Sequence, residues 1–343
     1  MRDGTVGTAG RIGSDPSSAP TPEVVHQARE TLAGVQESIT RQVVGQQRLR
    51  ETLLIGLLTG GHVLLESVPG LAKTTAAQAL ASAVGGSFSR IQCTPDLLPS
   101  DIVGTQIYDA RTGDFVTQLG PVHANVVLVD EINRSSAKTQ SAMLEAMQER
   151  QTSIGGVVHP VPSPFLVLAT QNPIEQEGTY VLPEAQLDRF LLKDVLDYPT
   201  PQEEADVVRR VDAGIFSEPV AAQISVDEVR ALHSLVASIY LDASVLDYIT
   251  RVVAATRNPG EVMAADLARY VDFGASPRAS IAFAKGARAA AFLQGRAHVI
   301  PEDVRHLAHR VLRHRVLLTY EAAADEVRPE TIIDAVLRGV RTP

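Results

Sequence analysis

The chain has one cysteine, Cys93, no tryptophan, and only 4% aromatic residues among 343. A single cysteine excludes an intrachain disulfide and fits a reducing compartment. Cys93 itself reads as a small buried residue. With so few rings, the packing must rest on Val, Leu, Ile and Ala, and the 45% hydrophobic content is enough for sizeable cores. No run reaches the ~18 apolar residues of a membrane span, and the first 22 residues hold no apolar stretch of signal-peptide length. Positive charge is also short. The net charge of −9 argues against non-specific nucleic-acid binding through a broad basic surface, although a channel inside an oligomer could be locally basic. These absences predict a cytoplasmic protein without membrane insertion of its own.

The length suits about two domains. Residues 1–21 are rich in Gly, Ser, Thr and Pro and read as a disordered tail. Helical periodicity starts at Pro22, with Val24, Val25, Ala28, Leu32, Val35 and Ile39 at spacings of three and four, and a second helix spans 47–58. From there the pattern alternates. Short buried strands are expected at 63–65, 88–92, 125–129, 165–169 and 190–195, with helices at 74–84, 136–150 and 184–188 between them. Segment 95–120 is long for a connection and reads as an insertion. Segment 152–164, with Gly155-Gly156 in the middle, reads as a hairpin. Strands alternating with helices give a three-layer α/β domain over 22–199, with its ligand site at the carboxyl ends of a parallel sheet. After Pro199 and Pro201 no strand pattern survives, and 200–343 reads as an all-α domain. Its helices fall at 201–213, 226–238, 243–257, 277–293, 301–318 and 329–337.

The stretch His62–Thr75, HVLLESVPGLAKTT, organises the rest. A buried strand runs into a turn on Pro69 and Gly70, and Lys73-Thr74-Thr75 opens an alanine-rich helix. That geometry binds phosphate: backbone N–H groups of the loop and helix start point inward, Lys73 reaches the terminal phosphates, and the Thr74 hydroxyl ligates Mg²⁺. The strict pattern G-x-x-x-x-G-K-[ST] is not met, because Ser67 and Ala72 stand at its two glycine positions. By itself the loop leaves open a plain helix with an early lysine.

Downstream, four apolar residues, Val126–Val129, end in Asp130-Glu131. Two carboxylates at a buried strand tip demand a charge partner. Asp130 suits a Mg²⁺ ligand and Glu131 suits polarising a water for phosphoryl transfer, against a merely solvated strand end. Asn172, ending the next strand, could orient that water or simply be a turn residue. Arg189 is suited to a transition-state cation supplied to a neighbouring subunit, or to a salt bridge with Asp188. Arg278, in the first turn after Pro277, opposes the helix dipole and so calls for an anion such as phosphate.

These residues come in a family's order. VVGQ at 43–46, VPGLAKTT at 68–75 and RIQCTPDLLPSDIVGT at 90–105 are followed by VLVDEINRSSAKTQSAMLEAMQER at 127–150. LATQNPIEQEGTY at 168–180, LPEAQLDRFLLK at 182–193 and ASPRAS at 275–280 complete the set. Over about residues 25–340 the chain resembles the MoxR family of AAA+ ATPases. The resemblance implies a Walker A loop over Ser67, Val68, Pro69, Gly70, Leu71, Ala72, Lys73, Thr74 and Thr75, and a Walker B pair in Asp130 and Glu131. It makes Asn172 sensor 1, Arg189 the arginine finger and Arg278 sensor 2, and it sets Val44 and Gly45 at the adenine. It further implies ATP and Mg²⁺, a homo-oligomeric ring, usually a hexamer, and 100–120 and 151–164 as pore- or partner-facing insertions. The expected role is chaperone-like remodelling or maturation of a protein partner, or metal-cofactor insertion, often with a von Willebrand factor A domain protein. The other readings are a nucleotide-dependent scaffold with little turnover and a DNA-associated motor.

Two departures bear on this. Ser67 stands where the family pattern carries Gly; a positive φ there would add about 1 kcal/mol of strain, whereas a negative φ would leave its hydroxyl free to make a contact. Val181 replaces an expected Pro before Leu182-Pro183, which could loosen the loop leading to Arg189. The basic helix with His306 and His309 reads as a solvated or subunit-facing face rather than a metal or nucleic-acid site. Glu175 and Glu177 read as loop carboxylates that pair across a subunit boundary.

Overall fold

The computed structural model describes residues 19–68, 70–172 and 180–343. Readings that fall on Pro69, Glu175, Glu177 and the first 18 residues lie outside these. Two compact units emerge. One is Glu30–Arg230 together with Arg313–Arg315; the other holds the described residues before Glu30, Ala231–Leu312 and Val316–Pro343.

The first unit opens with helix α1 (Pro22–Gln42), which begins in the other unit, and α2 (Gln47–Thr59), then strand β1 (Val63–Glu66). Helix α3 (Lys73–Ala83) and β2 (Phe88–Gln92) follow, then a short α4 (Pro99–Val103) and a hairpin of β3 (Gly104–Asp109) and β4 (Asp114–Leu119). Next come β5 (Val126–Asp130), α5 (Ala137–Glu149), the hairpin β6 (Gln151–Ile154) and β7 (Val157–Pro160), and β8 (Leu166–Gln171). Helix α6 (Glu184–Leu187), β9 (Leu192–Val195) and α7 (Pro201–Asp212) close it, and α8 (Val226–Ser238) leads out. The segment read as an insertion is thus a helical turn plus a hairpin that pairs Gly104 with Leu119 through Asp109 with Asp114. Ile107, Tyr108, Phe115, Val116 and Leu119 on it are exposed.

Five strands form one parallel sheet in the order β2-β5-β8-β1-β9. Strands buried on both faces read as continuous apolar runs, and Val126–Val129 are at most 1% exposed. One face packs Leu64, Val127, Val129 and Val167 with Met143, Leu144, Met147, Phe165 and Phe190. Helices α2 and α3 cover the sheet as well, α2 against β1 and β9 and α3 against β2 and β5. The chain leaves β1 for the far edge and returns to its other side only at β9. The carboxyl end of β1 therefore lies at a topological switch point, where open α/β sheets bind ligands.

The second unit is built mainly of α9 (Ala243–Arg257), α10 (Ala265–Ala268), α11 (Pro277–Leu293), α12 (Pro301–Leu312), α13 (Tyr320–Ala324) and α14 (Pro329–Gly339). Helix α11 buries a row of alanines, so its neighbours pack close. It also contains a short antiparallel pair, β10 (Val271–Phe273) and β11 (Leu317–Leu318), which the helical reading did not include. Helix α12 stops at Leu312 rather than 318, and Arg313–Arg315 turn away into the first unit. His309 bonds Asp334 at 2.8 Å and His306 bonds Arg310 at 2.8 Å. Among the described residues no helix is long and apolar enough to cross a membrane.

Candidate nucleotide site

Strand register brings the chemistry together. Gln92 pairs with Asp130, and Glu66 with Gln171, so the tips of β2, β5, β8 and β1 end level. The Ser67 N–H extends the ladder by donating to the Gln171 carbonyl at 3.1 Å. Above these tips lies a cleft of about 410 Å³ lined by Ser67, Gly70, Leu71, Ala72, Lys73, Thr74, Thr75, Arg90, Gln92, Asp130, Glu131 and Asn172. Ser67 and Asn172, 105 positions apart in sequence, thereby share one cavity with both carboxylates.

The loop's backbone decides between the two readings of Ser67. Ser67 lies outside the left-handed region, whereas Gly70 (φ 85°) and Ala72 (φ 54°) lie inside it. An alanine tolerates that conformation at a cost of about 1–2 kcal/mol; the strain of this loop therefore belongs to Ala72 and not to Ser67. The Ser67 hydroxyl is buried and, among the described residues, has no hydrogen-bond partner. Lys73 starts α3 half-buried. Burial lowers its pKa, Asp130 and Glu131 pull it back up, and Arg90 adds to the lowering. Thr74 and Thr75 line the cleft beside it, and Val68 is half-buried.

The carboxylates are held by residues the sequence reading did not single out as site residues. Asp130 Oδ2 accepts from Arg90 Nη2 at 2.7 Å, and Oδ1 accepts from the Thr170 hydroxyl at 2.7 Å. The Glu131 N–H donates back to Thr170 Oγ1 at 2.9 Å. Glu131 Oε2 accepts from Gln92 Nε2 at 3.1 Å and Arg134 Nη1 at 3.0 Å. Glu131 is itself left-handed at φ 55°, a strained conformation of the kind that clusters at functional sites. Thr74 and Asp130 offer oxygen donors in the same cavity, the ligand type that suits Mg²⁺. Asn172 is 8% exposed.

A second pocket, about 320 Å³, shares Gly70, Leu71, Ala72 and Thr75 with the cleft and adds Val44, Pro199, Val207, Val211 and Phe216. Its largely apolar walls suit a flat base. Gly45 (φ 60°) lies beside it, where any Cβ would meet the Glu203 carboxylate at 2.2 Å. A side chain there would have to displace the Glu203 carboxylate and hold a left-handed backbone.

Arg189 follows α6, is exposed, and does not line the cleft. Asp188 Oδ1 accepts instead from Arg315 Nε at 2.7 Å. Arg278 lies in the first turn of α11, its N–H capped by the Ser276 hydroxyl at 3.1 Å, in the other unit. The exposed Val181 stands next to Tyr180, whose N–H donates to the Asn133 carbonyl at 2.7 Å and whose carbonyl accepts from Gln140 at 3.0 Å. Cys93 is buried, and burial pushes its thiol up to about 11.

Comparison with known proteins matches this arrangement to a family. Residues 62–192 fit the model of the ATPase family associated with various cellular activities, and 263–336 fit an AAA lid domain. The chain is 52% identical over 306 residues to Chaperone MoxR1 of Mycobacterium tuberculosis, covering 89% of this chain and 80% of that protein. It belongs to the MoxR family of AAA+ ATPases. Protein MoxR of Paracoccus denitrificans is 34% identical, with 88% and 93% covered. A crystal structure of a candidate ATPase from Cytophaga hutchinsonii superposes with a TM-score of 0.89 at 45% identity, covering 94% of this chain and 97% of that one. The parallel sheet and lid are thus those of an AAA+ protein.

Proposed function

We propose that this protein binds ATP in the cleft and hydrolyses it, and that it uses the turnover to remodel a protein partner. One observation carries the reading: the phosphate loop, Asp130, Glu131 and Asn172 line a single cavity that is continuous with an apolar pocket. Lys73 and the N–H groups at the start of α3 neutralise phosphate charge. Thr74 and Asp130 hold Mg²⁺, which when bound supplies further neutralisation of the phosphates. Glu131 accepts the proton of the attacking water, and Asn172 orients that water beside it. Val44 and Gly45 flank the base. Arg189, exposed and away from its own chain's cleft, acts in a neighbour's site, which requires a ring of copies such as a hexamer; Arg278, at the start of α11, is a further cation suited to phosphate, of its own or a neighbouring subunit. The name of the tuberculosis relative supports a chaperone-like role, and a von Willebrand factor A domain protein is a fitting partner for a cytoplasmic ATPase of this kind.

The test is steady-state hydrolysis by wild type and Glu131→Gln with Mg²⁺. Turnover lost in the variant with ATP binding retained supports the assignment of Glu131. The engagement of Glu131 by Gln92 and Arg134 favours a second reading, a nucleotide-dependent scaffold. Wild type that binds ATP and assembles, yet never turns over, would put the scaffold first.

A further inference from the structure

Arg189 sits in a turn whose backbone is gripped by one side chain from far along the chain. Arg315 Nη2 donates to the Phe190 carbonyl at 2.6 Å and to the Asp188 carbonyl at 3.2 Å. Its Nη1 reaches the Leu191 carbonyl at 3.3 Å, and its Nε bonds the Asp188 carboxylate at 2.7 Å. The carbonyls on either side of Arg189 thus go to one planar fork, whose geometry can serve several acceptors at once. The side chain of Arg315 is 2% exposed. His314 adds a bond from Nε2 to the Phe190 carbonyl at 3.3 Å. Arg313 lies 3.8 Å from the buried Asp194 of β9, which also accepts from Arg48 at 2.9 Å and from the Thr52 hydroxyl at 2.8 Å.

Burying a guanidinium is costly, and only an ion pair with its remaining donors satisfied offsets that cost. An ordinary surface turn needs no such investment, since water can serve its carbonyls. Here the clamp fixes Asp188, Phe190 and Leu191 while Arg189 between them remains exposed.

We infer that Arg315 is a positioning residue for Arg189: it locks the turn so that the Arg189 guanidinium is presented outward, in fixed geometry, to the nucleotide of an adjacent subunit. This rests on the reading of Arg189 as acting in trans. A finger worth ~10³ or more in rate depends on placement, and placement to within about 1 Å can matter by ~10²-fold.

The test uses mixed rings of the full chain. Glu131→Gln subunits carry a finger but no turnover; Arg189→Ala subunits carry an intact cleft but no finger. Mixing them restores hydrolysis only where the first type serves the second. Arg315→Lys keeps the charge but replaces the fork with a single ammonium. Placed in the Glu131→Gln subunit, it should cut the restored rate by about tenfold or more, with that subunit's ATP affinity and assembly unchanged. Placed in the Arg189→Ala subunit, it should leave the restored rate within about twofold, because that subunit's own turn presents no finger. Equal losses in both placements, or none in the first, overturn the proposal. Should the lysine variant fail to fold, Asp188→Asn, which keeps the three carbonyl bonds, should give a loss of roughly threefold on the same side only; a symmetric loss refutes it. If wild type hydrolyses ATP but the parent mixture does not, action in trans fails and the inference with it. If wild type does not hydrolyse ATP at all, the proposed function itself fails.

Discussion

Ser67→Ala should strengthen the empty protein and weaken its hold on nucleotide, two effects of opposite sign from one oxygen atom. The Ser67 hydroxyl is buried at the floor of the cleft without a partner among the described residues. A buried unpaired hydroxyl costs about 1–3 kcal/mol; at the low end of that range, its removal raises the unfolding midpoint by roughly 2–4 °C for a domain of this size. When triphosphate fills the cleft, the same hydroxyl can donate to a charged oxygen, a bond worth about 1.5 kcal/mol or more, so the variant's Kd rises about tenfold. Thermal unfolding without nucleotide, and titration of a fluorescent ATP analogue, separate the two. A lower midpoint in the nucleotide-free variant, or an unchanged Kd, refutes the reasoning. Two companions locate the strain. Ser67→Gly, which loses the same hydroxyl, should be about 0.4–1 kcal/mol less stable than Ser67→Ala through the freer unfolded chain, because Ser67 is not left-handed and glycine relieves no strain there. Ala72→Gly, at φ 54°, should gain about 0.5 kcal/mol, the ~1–2 kcal/mol of Cβ strain less that same entropic loss.

Arg90→Gln should tighten Mg²⁺. Thr170 is buried and holds one Asp130 oxygen, whereas Arg90, 48% exposed, holds the other; such a pair is worth about 0.5–1 kcal/mol, or a two- to fivefold rise in apparent Mg²⁺ affinity of the protein–nucleotide complex by titration. Weaker Mg²⁺ binding would show that Arg90 serves the phosphates instead. His314 should make stability pH-dependent: burial, then the neighbouring positive charge of Arg315, hold its pKa well below 6.5, with the Phe190 carbonyl acting the other way. The folded ring stays neutral while the unfolded chain takes up a proton below 6.5, so its contribution is full above that pH and is lost as pH falls, by at most ~1.4 kcal/mol per pH unit. Urea unfolding at two pH values should show a slope that His314→Gln reduces by about one proton; equal slopes would refute it.

What could be read in the chain beforehand follows the range of the interactions. The parallel sheet was legible because a strand buried on both faces must be a continuous apolar run, and Val126–Val129 is one. The motif residues that line the cleft were legible because each follows such a strand or opens a helix, so local order alone sets them at the carboxyl ends. Arg90, Gln92 and Thr170 were not legible as site residues. Each lies inside a strand, and its role appears only when β2 and β8 are known to flank β5 on either side, a fact of strand order that no local pattern contains. The two- and three-residue strands β10 and β11 are too short to show a period. Arg313–Arg315 were misread for a further reason. Val304, Leu307, Ala308, Val311 and Leu312 recur at helical spacing, and Arg315 continues that face, so the pattern predicts more helix. What ends α12 lies elsewhere: the carbonyls of Asp188, Phe190 and Leu191, together with buried Asp194, offer a nearby guanidinium more partners than another helical turn would. Tertiary acceptors therefore override a local periodicity at the one point where the chain re-enters the nucleotide-binding unit.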